Sequence, residues 1–157
     1  MRLFFDEAQR THAPAWELHN GAFTAYAEMP ARVDAILRAL GSVEVPKDRG
    51  EAPILAVHPA PYLTFLKDAA RLWQEAGREG DAIPYTFPIR GRRPLDLTRI
   101  DALIGAHSFD ATTPITPQTW AASYGSAQSA LAATHAVLDG DRAAFALCRP
   151  PGHHAGA

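Results

Sequence analysis

The chain has 157 residues, 47% of them hydrophobic and 20% charged, which is the size and composition of one globular domain. A formal net charge of -2 without a single-sign tail gives no reason to expect nucleic acid, and Cys148, the one cysteine, excludes an internal disulfide. No basic-then-apolar leader precedes Asp6-Glu7 and no apolar run approaches the ~20 residues of a membrane helix, so no membrane contact is expected and the cytoplasm is the default location.

In chain order, Leu3-Phe4-Phe5 reads as a short buried strand. Residues 6 to 29 show no clear periodicity and read as a long loop carrying His12, Pro14, Trp16, Glu17, His19, Asn20 and Gly21. Pro30 suits the first position of a helix whose stripe is Val33, Ile36, Leu37 and Leu40, with Gly41 as its cap. Val43-Glu44-Val45 is a candidate second strand, stopped by Pro46. A second helix is expected from Pro61, burying Tyr62, Phe65, Leu66, Ala69, Trp73 and Ala76 and ending at Gly77. Residues 78 to 97 carry Gly80, Pro84, Pro88, Gly91 and Pro94 and read as an extended basic loop with Arg90, Arg92 and Arg93. Thr98 to Ile104 adds a short helix.

Thr116-Pro117 then resembles an N-cap followed by a first-turn proline. The long alanine-rich helix it opens places Trp120, Tyr124, Ala127, Leu131, Thr134 and Leu138 along one face, with small residues around them. Asp139-Gly140 ends it, and Ala143 to Leu147 is a third strand with Cys148 expected to be buried at its end. Strands separated by helix-length connections predict an α/β fold with a parallel sheet flanked by helices.

The third strand runs into Arg149-Pro150-Pro151-Gly152-His153-His154. Two prolines fix φ and remove two donors, and Gly152 opens conformations closed to other residues, so the corner's shape depends little on its surroundings. It sets two imidazoles at the carboxyl end of a strand, where open α/β sheets bind ligands. Histidine titrates near neutral pH, and a tandem pair can divide acid and base work when its surroundings separate the two pKa values. Pattern alone leaves two readings, an acid–base site or a solvated His-His loop. Metal binding by the pair is a further option, but no other histidine, cysteine or carboxylate stands at zinc-like spacing. His12, His19, His58, His107 and His135 are scattered singly and read as structural or surface histidines.

Arg149-Pro150-Pro151-Gly152-His153-His154-Ala155 resembles the signature of the zinc-dependent deacetylases of the histone deacetylase and acetylpolyamine amidohydrolase superfamily. Phe4-Phe5, Glu17-Leu18 with Gly21, and Pro30-Ala31-Arg32 resemble the start of the acetylpolyamine branch. Val57-His58 with Tyr62-Leu63 and Phe65-Leu66, Phe87-Pro88-Ile89-Arg90, and Thr116-Pro117-Gln118-Thr119-Trp120 extend the likeness in the right order along the chain. The resemblance implies an arginase/deacetylase-like fold and zinc, which polarises an acetamide carbonyl and acidifies a water. It implies that His153 takes the proton from that water and that His154 stabilises charge and protonates the leaving amine. It matches Glu17 to a substrate-binding acid at the channel mouth, where a carboxylate attracts a cationic acetylated polyamine. A second channel acid is expected near Thr112, with Asp110 close by.

The same resemblance places the zinc ligands, an Asp-x-His pair and a later Asp, beyond Ala157, together with the tyrosine that holds the carbonyl oxygen. With only three strands expected, residues 1–157 read as the N-terminal part of a single deacetylase domain, a partial fold truncated after its third strand. The chain alone is then expected to hold no zinc and to be inactive. The alternative is a noncatalytic binding or oligomerisation module that uses the Arg-rich loop to associate with itself or a full-length paralogue. A homodimer through the 78–117 loop region is expected as a partner of the chain. A metal-free hydrolase using only the histidine pair finds no nucleophile in a recognisable motif.

Overall fold

The structure, a computed structural model, describes residues 1–89, 91 and 96–152. In chain order its elements are β1 (Arg2–Phe4), a 3₁₀ helix (Glu7–Thr11), β2 (Trp16–His19), β3 (Ala22–Ala25), α1 (Pro30–Leu40), α2 (Ala52–Leu55), α3 (Ala60–Glu75), α4 (Ile100–Ala106), α5 (Thr119–Leu138) and β4 (Ala144–Ala146). They fall into two compact units: Met1–Ala13, Glu28–Pro59 and the chain from Gln118 on form the first, Pro14–Ala27 and Ala60–Pro117 the second.

In the first unit β1 pairs with β4 in parallel, Leu3 opposite Phe145, and Leu147 N–H still donates to Phe4 O at 3.0 Å beyond the strand end. The expected second strand is reduced to one parallel bridge at Glu44, whose N–H reaches Leu3 O (2.7 Å) while its carbonyl accepts from Phe5 N–H (3.1 Å). Pro46 lacks a donor and prevents further pairing. β1 is thus the inner strand. Its alternation sends Phe4 toward Ala132 and Ala136 of α5, and Phe5 toward Val33 and Leu37 of α1, with Leu147 beside them. Helices therefore cover both faces, as a parallel sheet requires.

α1 starts at Pro30 and closes on Gly41, whose N–H caps Leu37 O and whose φ of 82° suits glycine. Its buried stripe is narrower than expected, because Ile36 is exposed. α5 packs by the other face from the one its large residues mark. Thr119, Ala122, Gly125, Gln128, Ser129, Ala132 and Ala136 are buried, while Leu138 is exposed and Trp120 and Tyr124 are half-buried. The reason is distance. A Cβ on Gly125 would lie 2.7 Å from Asp6 Cγ, so only a small-residue face approaches the 3₁₀ helix this closely. The helix also begins two residues later than expected, at Thr119.

The second unit contains a hairpin where a loop was expected. β2 and β3 pair antiparallel, Glu17 opposite Thr24, across the two-residue turn Asn20-Gly21 with φ of 51° and 79°. Positive φ at both central positions is what Asn-Gly provides in a tight hairpin. α3 buries Phe65, Ala69 and Trp73 as expected and packs them on Ile100 and Ile104 of α4, with Ala82 and Ile115. Ala82 and Ile115 form an antiparallel bridge that closes the long loop. Asp101 of α4 fastens that loop by ion pairs to Arg78 (2.8 Å) and Arg99 (3.0 Å), and its carbonyl accepts from Thr86 Oγ1 (3.1 Å). Arg90, Arg92 and Arg93 lie outside the described residues.

Candidate active site

β4 delivers the chain into Arg149-Pro150-Pro151-Gly152, of which Arg149 is almost wholly buried, at 1% exposure. A buried guanidinium is stable only when its donors are met. Arg149 Nη1 donates to Gln9 O at 2.7 Å, Nη2 donates to Glu28 O, and Nε faces Glu28 Oε1 at 3.5 Å. The Arg149 backbone N–H donates to Gln9 Oε1 at 2.5 Å. Gln9, itself fully buried, is fixed in turn by its Nε2, which donates to Ser129 Oγ (3.2 Å), and Ser129 donates to Gly125 O (2.9 Å). The corner therefore rests on a polar network that joins the 3₁₀ helix, α5 and the residues before α1.

His12 is buried within reach of the Arg149 charge rather than on the surface. Its Nδ1 lies 3.0 Å from Thr119 Oγ1, and burial first, then the Arg149 charge, pushes its pKa down to about 4. The folded chain thus holds His12 neutral where the unfolded chain, with an ordinary imidazole near 6.5, protonates it. Between those values the unfolded state binds more protons, so stability falls as pH drops from about 6.5 to about 4 and is unaffected by this group above that window. The expected loss is about 3 kcal/mol at ~1.4 kcal/mol per tenfold change in proton affinity. Urea midpoints measured from pH 7.5 to 4, compared with those of His12→Leu, should show a steeper acid decline in the native sequence. Parallel curves would refute this role.

Glu17 lies in the second unit, on β2, half-buried, and its Oε2 accepts from Ala27 N–H at 3.3 Å. Its neighbour Leu18 donates its N–H to Ala111 O at 3.3 Å, which laces the hairpin to the 110–112 segment. Asp110 Oδ1 there accepts from both the N–H and the hydroxyl of Thr112 at 2.8 Å. The fold thus brings Glu17's strand beside the 110–112 segment. His153 and His154 lie outside the described residues. Among the described residues no three His, Cys, Asp or Glu side chains converge as a metal site, and no helix is long and apolar enough to cross a membrane. Cys148 is exposed where burial was expected; Leu147 turns in against Phe5 and Val33, whereas Cys148 Sγ faces Ser126 O.

Sequence reasoning missed Gln9, Ser129 and the anchoring role of Arg149. Gln9 carries no sequence signal. Arg149 carried one: a cation between a buried strand and two prolines must find partners in the interior.

A parallel α/β layer thus feeds an anchored Pro-Pro-Gly corner at the carboxyl end of a strand. The description "Histone deacetylase domain" matches residues 26–157, and the chain belongs to that family. It is 44% identical over 164 residues to acetylpolyamine amidohydrolase 1 of Pseudomonas aeruginosa, covering 99% of this chain and 47% of that protein. It is 39% identical to the acetylpolyamine amidohydrolase of Mycoplana ramosa, again over 99% of this chain and 47% of the relative. The crystal structure of an acetylpolyamine aminohydrolase from Burkholderia pseudomallei matches with a TM-score of 0.86 at 41% identity, over 99% of this chain and 46% of that one. The chain spans about half the length of the curated relatives it matches, and its fold is the corresponding part of their α/β architecture.

Proposed function

We propose that residues 1–157 supply the proton-handling part of a zinc-dependent deacetylase that removes acetyl groups from an acetylated amine, an acetylpolyamine before acetyl-lysine. The observation that carries this reading is the anchored corner: the family signature follows β4 and is gripped from beneath by Gln9 and Glu28. On this reading His153 takes a proton from the attacking water and His154 protonates the departing amine, a coupled pair. Glu17 attracts the cationic end of the substrate. Among the described residues no side chains converge as a zinc site, and no step here runs through the metal. Both units are read as parts of one deacetylase domain, since the family match spans segments of each.

A second reading, a noncatalytic module that self-associates through residues 78–117, draws on the exposed Tyr85, Phe87, Ile89 and Phe109. One preparation separates the two. The purified 157-residue chain is assayed for zinc, for acetate release from acetylputrescine and for its sedimentation, alone and mixed with the C-terminal half of the Pseudomonas relative. The deacetylase reading expects less than stoichiometric zinc and no turnover alone, then turnover in the mixture that His153→Ala abolishes. Stoichiometric zinc with turnover by the chain alone contradicts the division of the site. A stable oligomer that stays inactive in the mixture supports the noncatalytic module.

A further inference from the structure

We infer that Gln9 is a positioning residue for the tandem histidines, acting through Arg149. This rests on the reading of His153 and His154 as the acid–base pair. Across Arg149-Pro150-Pro151 only one backbone N–H exists, because prolines have none. That single donor, Arg149 N–H, is given to Gln9 Oε1 at 2.5 Å. Gln9 also receives Arg149 Nη1 on its own carbonyl at 2.7 Å, so one residue grips the start of the corner at two points. Neither point is exposed to water, since Gln9 and Arg149 are 0% and 1% exposed.

The grip is itself referenced to α5. Gln9 Nε2 donates to Ser129 Oγ, which orients the amide so that its oxygen faces Arg149. Gly125, one turn before Ser129, allows α5 to lie against Asp6, and Asp6 Oδ1 caps the 3₁₀ helix by accepting from Ala8 N–H at 2.8 Å. The rigid Pro-Pro segment then transmits the position of Arg149 onward, because its two φ angles are fixed. A displacement of about 1 Å at a catalytic group costs on the order of 100-fold in rate, so this single hydrogen bond bears on turnover without touching substrate.

The test uses the enzyme at its full natural length, acetylputrescine as substrate, and three variants at one position with the histidine knockouts beside them. Gln9→Met keeps length and volume but removes the acceptor; Gln9→Glu keeps the acceptor; Gln9→Ala removes both. The expected result for Gln9→Met is a fall in kcat of about 10- to 100-fold with KM within twofold, unchanged zinc content, and a shifted limb in the pH profile of kcat. Gln9→Glu should restore most of kcat. Should Gln9→Met fail to fold, Ser129→Ala frees the Gln9 amide to rotate and is expected to lower kcat several-fold by the same route. Unchanged kcat in Gln9→Met, while His153→Ala and His154→Ala are inactive, overturns the positioning role alone. Full activity in both histidine variants overturns the acid–base reading and this inference with it. Equal losses in kcat for Gln9→Met and Gln9→Glu, tracking melting temperature, reduce Gln9 to a structural residue and also overturn the inference.

Discussion

Gly105→Ala is expected to unfold the second unit's core or to lower its stability by about 3 kcal/mol or more. A Cβ at this position would lie 1.6 Å from Thr86 O and 2.8 Å from Thr86 C. Both atoms are backbone, so no side-chain rotation relieves the overlap. Overpacking a core commonly costs about 1–3 kcal/mol when neighbours can shift. Here the neighbour is held, because Thr86 Oγ1 donates to Asp101 O while the Asp101 carboxylate is tied to Arg78 and Arg99. Moving Thr86 away also disturbs α4, whose Ile100 and Ile104 pack on Phe65, Ala69 and Trp73. The check is thermal unfolding followed by Trp fluorescence, since Trp73 sits in that cluster. A drop of about 10 °C is expected for a chain of this size. A melting temperature within 1–2 °C of the native value would show that the loop yields, and the packing argument would fail.

Arg149→Met is the second large effect, on the first unit. It removes the donors to Gln9 O and Glu28 O and leaves the Glu28 carboxylate without its partner at 3.5 Å. Glu28 keeps an ion pair with Arg32 at 2.7 Å, so the loss is not that of an isolated buried charge. Stranding a buried acceptor costs about 1–3 kcal/mol, and two acceptors lose their donor here. A spectroscopic consequence follows from the same geometry. The His12 pKa, about 4 in the native chain, is lowered first by burial and second by the Arg149 charge. Removing that charge should raise it while leaving it below 6.5, because the burial remains. Arg149→Lys keeps the charge and loses the fork, so it should destabilise while leaving His12 low. Imidazole titration by NMR of both variants separates the charge from the hydrogen bonds. An unchanged His12 pKa in folded Arg149→Met would rule out the coupling.

Several features were legible because they are local. Pro30 and Gly41 frame α1, since each encodes a backbone preference of its own. Phe65, Ala69 and Trp73 mark the inner face of α3 because large apolar residues at helical spacing have nowhere else to go. The Asn20-Gly21 turn is equally local, yet residues 6 to 29 taken together show no clear periodicity, and the hairpin emerges only in the fold. Counting a two-residue Asn-Gly between alternating apolar residues would have found the hairpin.

On α5 the small residues allow close packing, as expected; which segment they meet is not local, because Asp6, more than a hundred residues earlier, lies against Gly125. The second strand shrank to Glu44, since a β propensity at Val43 and Val45 does not supply partners for both.

The family signature, the rigid corner from Arg149 to Gly152 and the α/β order are written in short stretches, where covalent geometry and side-chain periodicity reside. What holds the corner is set by contacts between remote segments. Gln9, Ser129 and Glu28 meet Arg149 from sites distant along the chain, through hydrogen bonds that exist only once α5 has closed on the 3₁₀ helix. Chain connectivity sets where a motif begins; burial and hydrogen bonding between remote segments set how firmly it is held.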